Sequence, residues 1–200
     1  SKGLGKVIAI TMLKEGAKVV INGTDDKALE KTSEEIKQSG YSVLSVRADV
    51  SDKNQVEEMG QKVVDTFGRV DILVNNAGGG LHTPHKLEEV GEEDWDKVIA
   101  VNLRGCFICT KVVSKVMLKQ RFGRIVNISS VAAKYGGSAL SMHYGCSKLS
   151  LEGITKTLAK DGAAFNILAN TVRPGVIDTD FHKKFPKDMK RRIELIPMKS

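Results

Sequence analysis

The chain alternates short, β-branched apolar segments with longer amphipathic segments along most of its length. Residues 70–75 have the near-continuous apolar character of a strand buried on both faces, whereas residues 25–39 repeat apolar side chains at helical spacing. Strands that alternate with helices in this way form right-handed crossovers, which build a parallel sheet with helices on both faces. We therefore predict a single α/β domain over residues 1–200, with a three-layer, doubly wound parallel sheet.

The predicted elements follow one another with short connections. We predict strands at residues 17–22, 41–50, 70–75, 124–129 and 166–172, and helices at residues 2–15, 25–39, 51–67, 92–120 and 141–162. Gly40 closes the second helix, and Ser51 is the expected N-cap of the third. In a doubly wound sheet, ligands bind beyond the carboxyl ends of the strands, where the strand order reverses.

The composition is that of a globular protein with one sizeable core, since 41% of the 200 residues are hydrophobic and 28% are charged. No apolar run approaches the roughly 20 residues of a membrane span, and no charged-then-apolar leader precedes the first helix. These features predict a soluble, cytoplasmic protein with no membrane partner.

The net charge of +7 is distributed unevenly. Residues 181–200 hold seven Lys or Arg side chains against two Asp or Glu side chains, and the rest of the chain is nearly neutral. This distribution is not that of a nucleic-acid-binding domain, and we expect no nucleic-acid partner. The number of cysteines is odd, and Cys106 and Cys109 have no second ligand pair, so we expect no metal site.

Tyr144 and Lys148 stand four residues apart in the helix predicted for residues 141–162, and Ser130 follows the preceding strand. A spacing of four places the phenol and the ammonium on one helix face, where the positive charge favours the phenolate. A tyrosine tuned in this way exchanges a proton with an alcohol or carbonyl oxygen. Because Tyr-x-x-x-Lys also arises by chance, its meaning depends on the surrounding residues.

Three further features surround this pair. Gly3-Leu4-Gly5 leads into the first helix, where backbone amides and the helix N-terminus suit a pyrophosphate. Asn75-Asn76-Ala77-Gly78 follows a predicted buried strand; its small residues let a nucleotide lie against the backbone, and its Asn side chains can join neighbouring strand ends. Asn102 lies among apolar residues of a long helix, where it either faces solvent or is held inside for a purpose.

Together these residues resemble the short-chain dehydrogenase/reductases of the single-domain type, and the resemblance covers nearly the whole chain. It rests on matches in the family's order: Ser1-Lys2-Gly3-Leu4-Gly5, Asp49-Val50, Asn75-Asn76-Ala77-Gly78, Asn102, Ser130, Tyr144-x-x-x-Lys148, and Pro174-Gly175 with Thr179. The resemblance implies a Rossmann-like fold and hydride transfer with a nicotinamide cofactor.

The resemblance implies a role for each catalytic position. Tyr144 would protonate the carbonyl oxygen, and Ser130 would hydrogen-bond to that oxygen. Lys148 would lower the pKa of Tyr144 and bind the nicotinamide ribose, while Asn102 would hold a water in a proton relay. The Ser130–Tyr144 spacing is one residue longer than the family's, so Ser129 is an alternative to Ser130.

The resemblance also implies a set of cofactor-binding positions: Ser1, Lys2, Gly3, Leu4, Gly5, Thr24, Asp49, Val50, Asn76, Ala77, Gly78, Tyr144, Lys148, Pro174, Gly175, Ile177 and Thr179. Asp49 would contact the adenine, and Ile177 with Thr179 would contact the carboxamide. At Gly23-Thr24 the chain has neither the Asp typical of NAD binding nor the basic residue typical of NADP binding. Lys2 resembles the residue that meets the 2′-phosphate, which favours NADP(H) over NAD(H).

The implied activity is reduction of a ketone or a 3-oxoacyl thioester, or oxidation of the matching secondary alcohol. A sugar or polyol dehydrogenase is the alternative within the family, and a non-catalytic nucleotide-binding or scaffold protein is the alternative outside it. The basic segment 181–199 favours an anionic carrier-bound acyl group. Helices 92–120 and 141–162 resemble those with which the family forms dimers or tetramers, which implies a homo-oligomer.

The resemblance also has a consequence for the sheet. In a strand order of 3-2-1-4-5-6 the first strand is central, and this chain begins after it and ends before the last strand. We therefore expect a fragment in which strands 17–22 and 70–75 share no neighbour and leave backbone groups unpaired.

Overall fold

The computed structural model describes residues 2–80, 86–136, 141–177, 179, 193, 194, 196 and 198. Its strands are β1 Val19–Gly23, β2 Val43–Arg47, β3 Ile72–Asn75, β4 Gly123–Ile128 and β5 Ile167–Val172. Its α-helices are α1 Gly3–Lys14, α2 Asp26–Gln38, α3 Lys53–Phe67, α4 Glu92–Ile99, α5 Gly105–Gln120, α6 Ala132–Tyr135 and α7 Met142–Gly162. All strand pairs are parallel, which confirms the predicted α/β class.

The sheet consists of two separate pieces. In one piece β1 pairs with β2, with Val19 opposite Val43, and in the other the order is β3-β4-β5. Among the described residues, no strand pairs with the free edge of β1 or with that of β3. The prediction that these two strands share no neighbour is therefore confirmed. Ile72 of β3 is 42% exposed and the other three β3 residues are only half-buried, so the prediction of a buried strand is wrong here.

Each sheet piece has its own apolar cluster. Ala9, Ile21 and Leu29 bury the contact of α1 and α2 with β1. Met117 and Ile125 are fully buried where α5 packs on the β3–β5 piece. Removing such a side chain from water contributes about 1.5–3 kcal/mol.

A third cluster joins the two pieces. Val50, which follows β2, packs with Val56 of α3 and with Ile108 and Cys109 of α5. Leu73 of β3 packs against the same cluster. Helix α3 thus fixes the end of the β1–β2 piece against the β3–β5 piece, even though the two are not hydrogen-bonded strand to strand.

The predicted helix 92–120 contains a π-helical turn, Ala100–Arg104, between α4 and α5. Gly105 follows this turn, and a Cβ there would lie 2.7 Å from Cγ2 of Val50. A larger residue would therefore push α5 away from the shared cluster. Single π-turns of this kind occur frequently at functional sites.

The start of α3 differs from the sequence prediction. The N-cap is Asp52, whose carboxylate accepts hydrogen bonds from the backbone N–H groups of Asn54 and Gln55. Ser51 instead donates both its backbone N–H and its hydroxyl to Oδ1 of Asp49. Because Asp49 holds Ser51 in a turn, the predicted N-cap at Ser51 is wrong and the helix begins one residue later.

The predicted C-terminal glycine of α2, Gly40, has a φ of +83°, which lies in the left-handed region that favours glycine.

Two further local differences are smaller. β2 ends at Arg47, before the predicted end at residue 50, and α6 was not predicted. None of the helices in the described ranges combines the length and apolar character that a bilayer crossing needs.

Candidate active site

The ends of β3 and β4 are joined by asparagine side chains. Asn75 Nδ2 donates to Oδ1 of Asn127 at 2.8 Å and to Oγ1 of Thr110 at 3.1 Å. Asn127 is fully buried, and its Nδ2 donates to Oγ1 of Thr155 on α7 at 2.8 Å. The network therefore fixes β3, β4, α5 and α7 relative to one another, directly below the strand ends.

Asn102 lies in the π-turn and is buried. Its Nδ2 donates to the carbonyl oxygens of Gly79 at 2.8 Å and Val98 at 2.9 Å, and its Oδ1 accepts from the Gly79 N–H at 3.1 Å. Of the two alternatives left by the sequence, the structure shows that Asn102 is held inside. Its amide fixes the loop that follows β3.

Gly78 brings this loop against Lys148 of α7. Its φ is +155°, and a Cβ there would overlap Oδ1 of Asn102 and lie 3.3 Å from Nζ of Lys148. A residue with a side chain would therefore displace Asn102 or Lys148. Glycine is required here by space as well as by backbone conformation.

Lys148 is buried, and its Nζ donates to the carbonyl oxygen of Ile128 at 2.8 Å. Burial lowers the pKa of the Lys148 ammonium to about 8, with a smaller opposing effect from Cys106. The side chain thus ends between the carboxyl end of β4 and the Gly78 loop, and its proton is less tightly held than that of an exposed lysine.

Tyr144 lies one helical turn before Lys148, with Nζ of Lys148 5.6 Å from the centre of its ring. Burial raises the pKa of the Tyr144 phenol, and a hydrogen bond with the Ser130 side chain opposes that rise. The predicted lowering of the Tyr144 pKa by Lys148 is therefore wrong for this structure. The reason is that desolvation is the largest effect, while the ammonium donates to Ile128 instead of the phenol.

Ser129 and Ser130 have different surroundings. The buried Ser129 hydroxyl donates to the carbonyl oxygen of Lys148 at 2.8 Å, which fixes α7 to the end of β4. Ser130 is half-buried and shares a hydrogen bond with Tyr144. Ser130 is therefore the serine that contacts the Tyr144 phenol, whereas the Ser129 hydroxyl bonds to the backbone of α7.

The predicted cofactor-binding residues at the start of α1 converge with two later segments. Gly3, with φ +52°, lies beside Thr179, since a Cβ there would be 3.8 Å from Cβ of Thr179. Gly5 lies against Asn76, whose Nδ2 would be 2.5 Å from a Cβ at position 5. The glycine turn, the loop after β3 and Thr179 therefore meet. Ser1 lies outside the described residues.

The remaining predicted positions lie around this centre. Asp49 follows β2 and lines an open pocket beside the start of α3, whereas Val50 is buried in the shared cluster. Pro174 accepts a hydrogen bond from the Val131 N–H at 3.0 Å, which holds the chain after β5 beside Ser130. The other members of the set are half-buried or exposed: Leu4, Thr24, Ala77, Gly175 and Ile177.

Sequence reasoning missed three residues of this region. Asn127 joins the strand ends, and its only sequence signal is a polar residue inside an apolar strand. His143 immediately precedes Tyr144 and is 3% exposed; neither of its ring nitrogens has a hydrogen-bond partner among the described residues. Asp25 is an N-cap whose carboxylate also lies 2.6 Å from Nζ of Lys2.

Nearly all of the basic segment 181–199, which the sequence associates with an anionic acyl group, lies outside the described residues.

Comparison with known proteins agrees with this arrangement. A family model described as short chain dehydrogenase matches residues 1–190. The 3-oxoacyl-[acyl-carrier-protein] reductase FabG of Staphylococcus epidermidis is 39% identical over 202 residues, which cover 100% of this chain and 81% of that protein. FabG of Thermotoga maritima is 40% identical over 187 residues, covering 94% of this chain and 75% of the relative.

A further relative and a solved structure are named for other dehydrogenase activities. The (2S)-[(R)-hydroxy(phenyl)methyl]succinyl-CoA dehydrogenase subunit BbsD of Thauera aromatica is 38% identical, covering 94% of this chain and 74% of its own. The crystal structure of an NAD⁺-bound xylitol dehydrogenase superposes with a TM-score of 0.88 at 28% identity, covering 98% of this chain and 81% of that chain. The chain therefore belongs to the short-chain dehydrogenase family, and it is an oxidoreductase that acts between CH–OH and C=O groups.

Proposed function

We propose that this chain reduces a 3-oxoacyl thioester or a related ketone with a nicotinamide cofactor, or oxidises the matching secondary alcohol, with Tyr144 as the acid–base. The observation that carries the proposal is the grouping of Ser130, Tyr144 and Lys148 at the end of β4, with Asn102 fixing the facing loop. The relatives named 3-oxoacyl-[acyl-carrier-protein] reductase support the thioester substrate.

The residues present fit a dinucleotide. The backbone at Gly3 and Gly5 carries no side chain between itself and a ligand, and the N-cap of α1, Lys2, makes no side-chain capping bond. The first amides of α1 are therefore available to a pyrophosphate, which the positive end of the helix also favours. When bound, the nicotinamide would supply the hydride.

The protein's own contribution is to place and supply a proton. Because burial raises the pKa of Tyr144, its phenol stays protonated at neutral pH and can donate to a carbonyl oxygen. Ser130, which already hydrogen-bonds with the phenol, is placed to donate to the same oxygen. Lys148, with a pKa of about 8, can return a proton to this site near neutral pH.

The decisive experiment is Tyr144→Phe, assayed with NADPH and a short 3-oxoacyl thioester. We expect turnover to fall by about 10²–10⁴, because the proton donor is lost, while NADPH binding by fluorescence is kept. Tyr135→Phe is the matched control, since Tyr135 is exposed on the neighbouring α6. Retained turnover in the Tyr144 variant contradicts the proposal, and a wild type that binds nucleotide but turns over no substrate favours the scaffold alternative.

A polyol or sugar alcohol is the second candidate substrate. It is supported by the likeness to a xylitol dehydrogenase at a TM-score of 0.88. A panel of polyols with NAD⁺ and NADP⁺, run beside 3-oxoacyl thioesters with NADH and NADPH, separates the two. The higher kcat/KM identifies the substrate class.

The proposal includes a preference for NADP(H). Lys2 supports it, because an exposed ammonium at the start of α1 can meet a 2′-phosphate. NAD(H) is the alternative, supported by the NAD⁺ in the related xylitol dehydrogenase. The ratio of kcat/KM for NADPH and NADH, and its fall in Lys2→Met, tests the preference.

We also propose that the chain forms a homo-oligomer, a dimer or a tetramer, in the cytoplasm. Phe107 of α5 and Leu149 of α7 support self-association, because their side chains are 52% and 53% exposed and burial of such apolar area favours association. The three free cysteines fit a reducing compartment. Light scattering of the wild type and of Phe107→Glu with Leu149→Glu tests the assembly.

A further inference from the structure

An ion pair joins the starts of the first two helices. Nζ of Lys2, the N-cap of α1, lies 2.6 Å from Oδ2 of Asp25, the N-cap of α2. The two residues are 23 positions apart, so the pair exists only because the fold brings the helix starts together. Lys2 is also the residue expected to meet a 2′-phosphate. Its ammonium, however, is already paired with Asp25.

Asp25 is the fixed partner of this pair. Its Oδ1 accepts the backbone N–H of Ala28 at 3.0 Å, which caps α2 and holds the carboxylate in place. The hydrogen bond with Lys2 is the main cause that lowers the pKa of Asp25, so the carboxylate is charged at neutral pH. Lys2, on a long flexible stem, is the group that must move when a competing anion arrives.

A second ion pair lies beside the first. Nε of Arg47, at the end of β2, lies 3.3 Å from Oδ2 of Asp26. The four side chains together carry two positive and two negative charges, so neither cation is free to receive an anion without leaving a carboxylate behind. A 2′-phosphate brings a charge of roughly −1.5 to −2 at neutral pH, whereas a 2′-hydroxyl brings none.

Resting on the nicotinamide cofactor proposed above, we propose that Asp25 is a specificity-determining residue that competes with the 2′-phosphate for Lys2. In this arrangement Lys2 attracts NADP(H) and Asp25 limits that attraction. The chain then discriminates less strongly between NADP(H) and NAD(H) than Lys2 alone would dictate. The preference between NADP(H) and NAD(H) then depends on the carboxylate of Asp25, the N-cap of α2, as well as on Lys2.

The test is Asp25→Asn, which removes the charge but keeps an oxygen that can cap Ala28. We expect the affinity for NADPH to increase about three- to fivefold more than that for NADH, the size of effect expected for an exposed ion pair. Fluorescence titration with each nucleotide measures the ratio. The gain should shrink at high salt, because the competing charges are exposed.

A matched control is Asp71→Asn. Asp71 is also exposed and ion-paired, with Nη2 of Arg69 at 2.6 Å, but it lies at the opposite, amino-terminal edge of β3. It loses the same charge without touching Lys2, so its NADPH to NADH affinity ratio should stay that of the wild type.

The competition is tested directly in a Lys2→Met background. There Asp25→Asn should no longer change the NADPH to NADH ratio, because the cation over which they compete is gone. An undiminished gain in that background, or an equal gain for NADH and NADPH in the single variant, overturns the proposal. A wild type that binds neither nucleotide refutes instead the cofactor assignment on which it rests.

Discussion

Two groups of polar side chains at the strand ends differ in exposure. Beside the β1–β2 piece, the ion pairs of Lys2 with Asp25 and of Arg47 with Asp26 have side chains that are 50–74% exposed. In the β3–β5 piece and the helices packed on it, Asn102, Asn127 and Lys148 are at most 4% exposed. The carboxyl edge of the sheet thus has exposed ion pairs beside one piece and buried, hydrogen-bonded side chains beside the other.

The two groups of side chains have different roles: the exposed ion pairs adjust nucleotide affinity, and the buried polar groups fix the geometry of the site. Exposed ion pairs contribute about 0–1 kcal/mol and weaken with salt, so they can adjust affinity without disturbing the fold. Buried polar groups are costly when unpaired, so each must hold its neighbours in one arrangement. We therefore expect substitutions in the β3–β5 piece to affect geometry and stability, and those in the β1–β2 piece to affect mainly nucleotide preference.

The largest effect is expected for Gly78→Ala. The new Cβ would overlap the Asn102 side chain and approach Lys148, and the φ of +155° disfavours any residue but glycine. Turnover should fall by about 10²-fold or more, because misplacement near 1 Å has that effect. Gly91→Ala is the control, since a Cβ there meets nothing within 4 Å, and steady-state kinetics on both variants makes the measurement. A fully active Gly78 variant would remove the loop from the positioning role.

Asn127→Ala should give the next largest effect. It removes one hydrogen bond from Asn75 and one from Thr155, both of which keep other partners. Each lost hydrogen bond costs about 0.5–1.5 kcal/mol and the truncated buried side chain leaves a cavity, so the free energy of unfolding in urea should fall by roughly 2–4 kcal/mol. Asn170→Ala, at an exposed position of β5, should change it little. Equal effects of the two substitutions would contradict the contrast between buried and exposed groups.

Lys148 should make stability depend on pH in a particular window. Its folded pKa of about 8 lies below its ordinary value of 10.5, so between these values the unfolded chain binds more protons than the folded chain. Wild-type stability should therefore rise from about pH 8 to pH 10.5 relative to Lys148→Met, by on the order of 3 kcal/mol.

Below pH 8 the cost of burying the charged lysine is fully present, so the methionine variant should be at least as stable as the wild type while losing turnover. Urea unfolding at several pH values, taken as the difference between the two proteins, isolates this residue from other titrating groups. If the difference in free energy of unfolding between the two proteins does not vary with pH, burial does not lower the pKa of Lys148.

The smallest effect is expected for Asp26→Asn. Its partner Arg47 is 3.3 Å away and both side chains are mostly exposed, so the free energy of unfolding should change by less than about 0.5 kcal/mol. Urea unfolding at low and high salt measures it. A loss of unfolding free energy as large as that of Asn127→Ala would contradict the expected difference between exposed and buried polar groups.

The elements that follow from periodicity could be predicted, and those that follow from packing could not. Alternation of apolar segments predicted the five parallel strands, and the family resemblance implied the interruption between β1 and β3. It could not predict that Tyr144 is buried enough to raise its pKa, because desolvation depends on neighbours that no motif contains. Nor could it predict the contact between Lys2 and Asp25, which depends on how two helices meet.

The π-turn at Ala100–Arg104 makes this part of the chain sensitive to length. Each residue of a helix advances by about 100°, and a π-turn contains more residues than an α-helical turn, so it sets the rotational phase between α4 and α5. Deleting a single residue from the first turn of α5, outside the π-turn, would instead rotate every residue beyond it by that angle. Ile108 and Cys109 would then leave the cluster with Val56, so the helix tolerates substitution at its surface far better than a change in residue count.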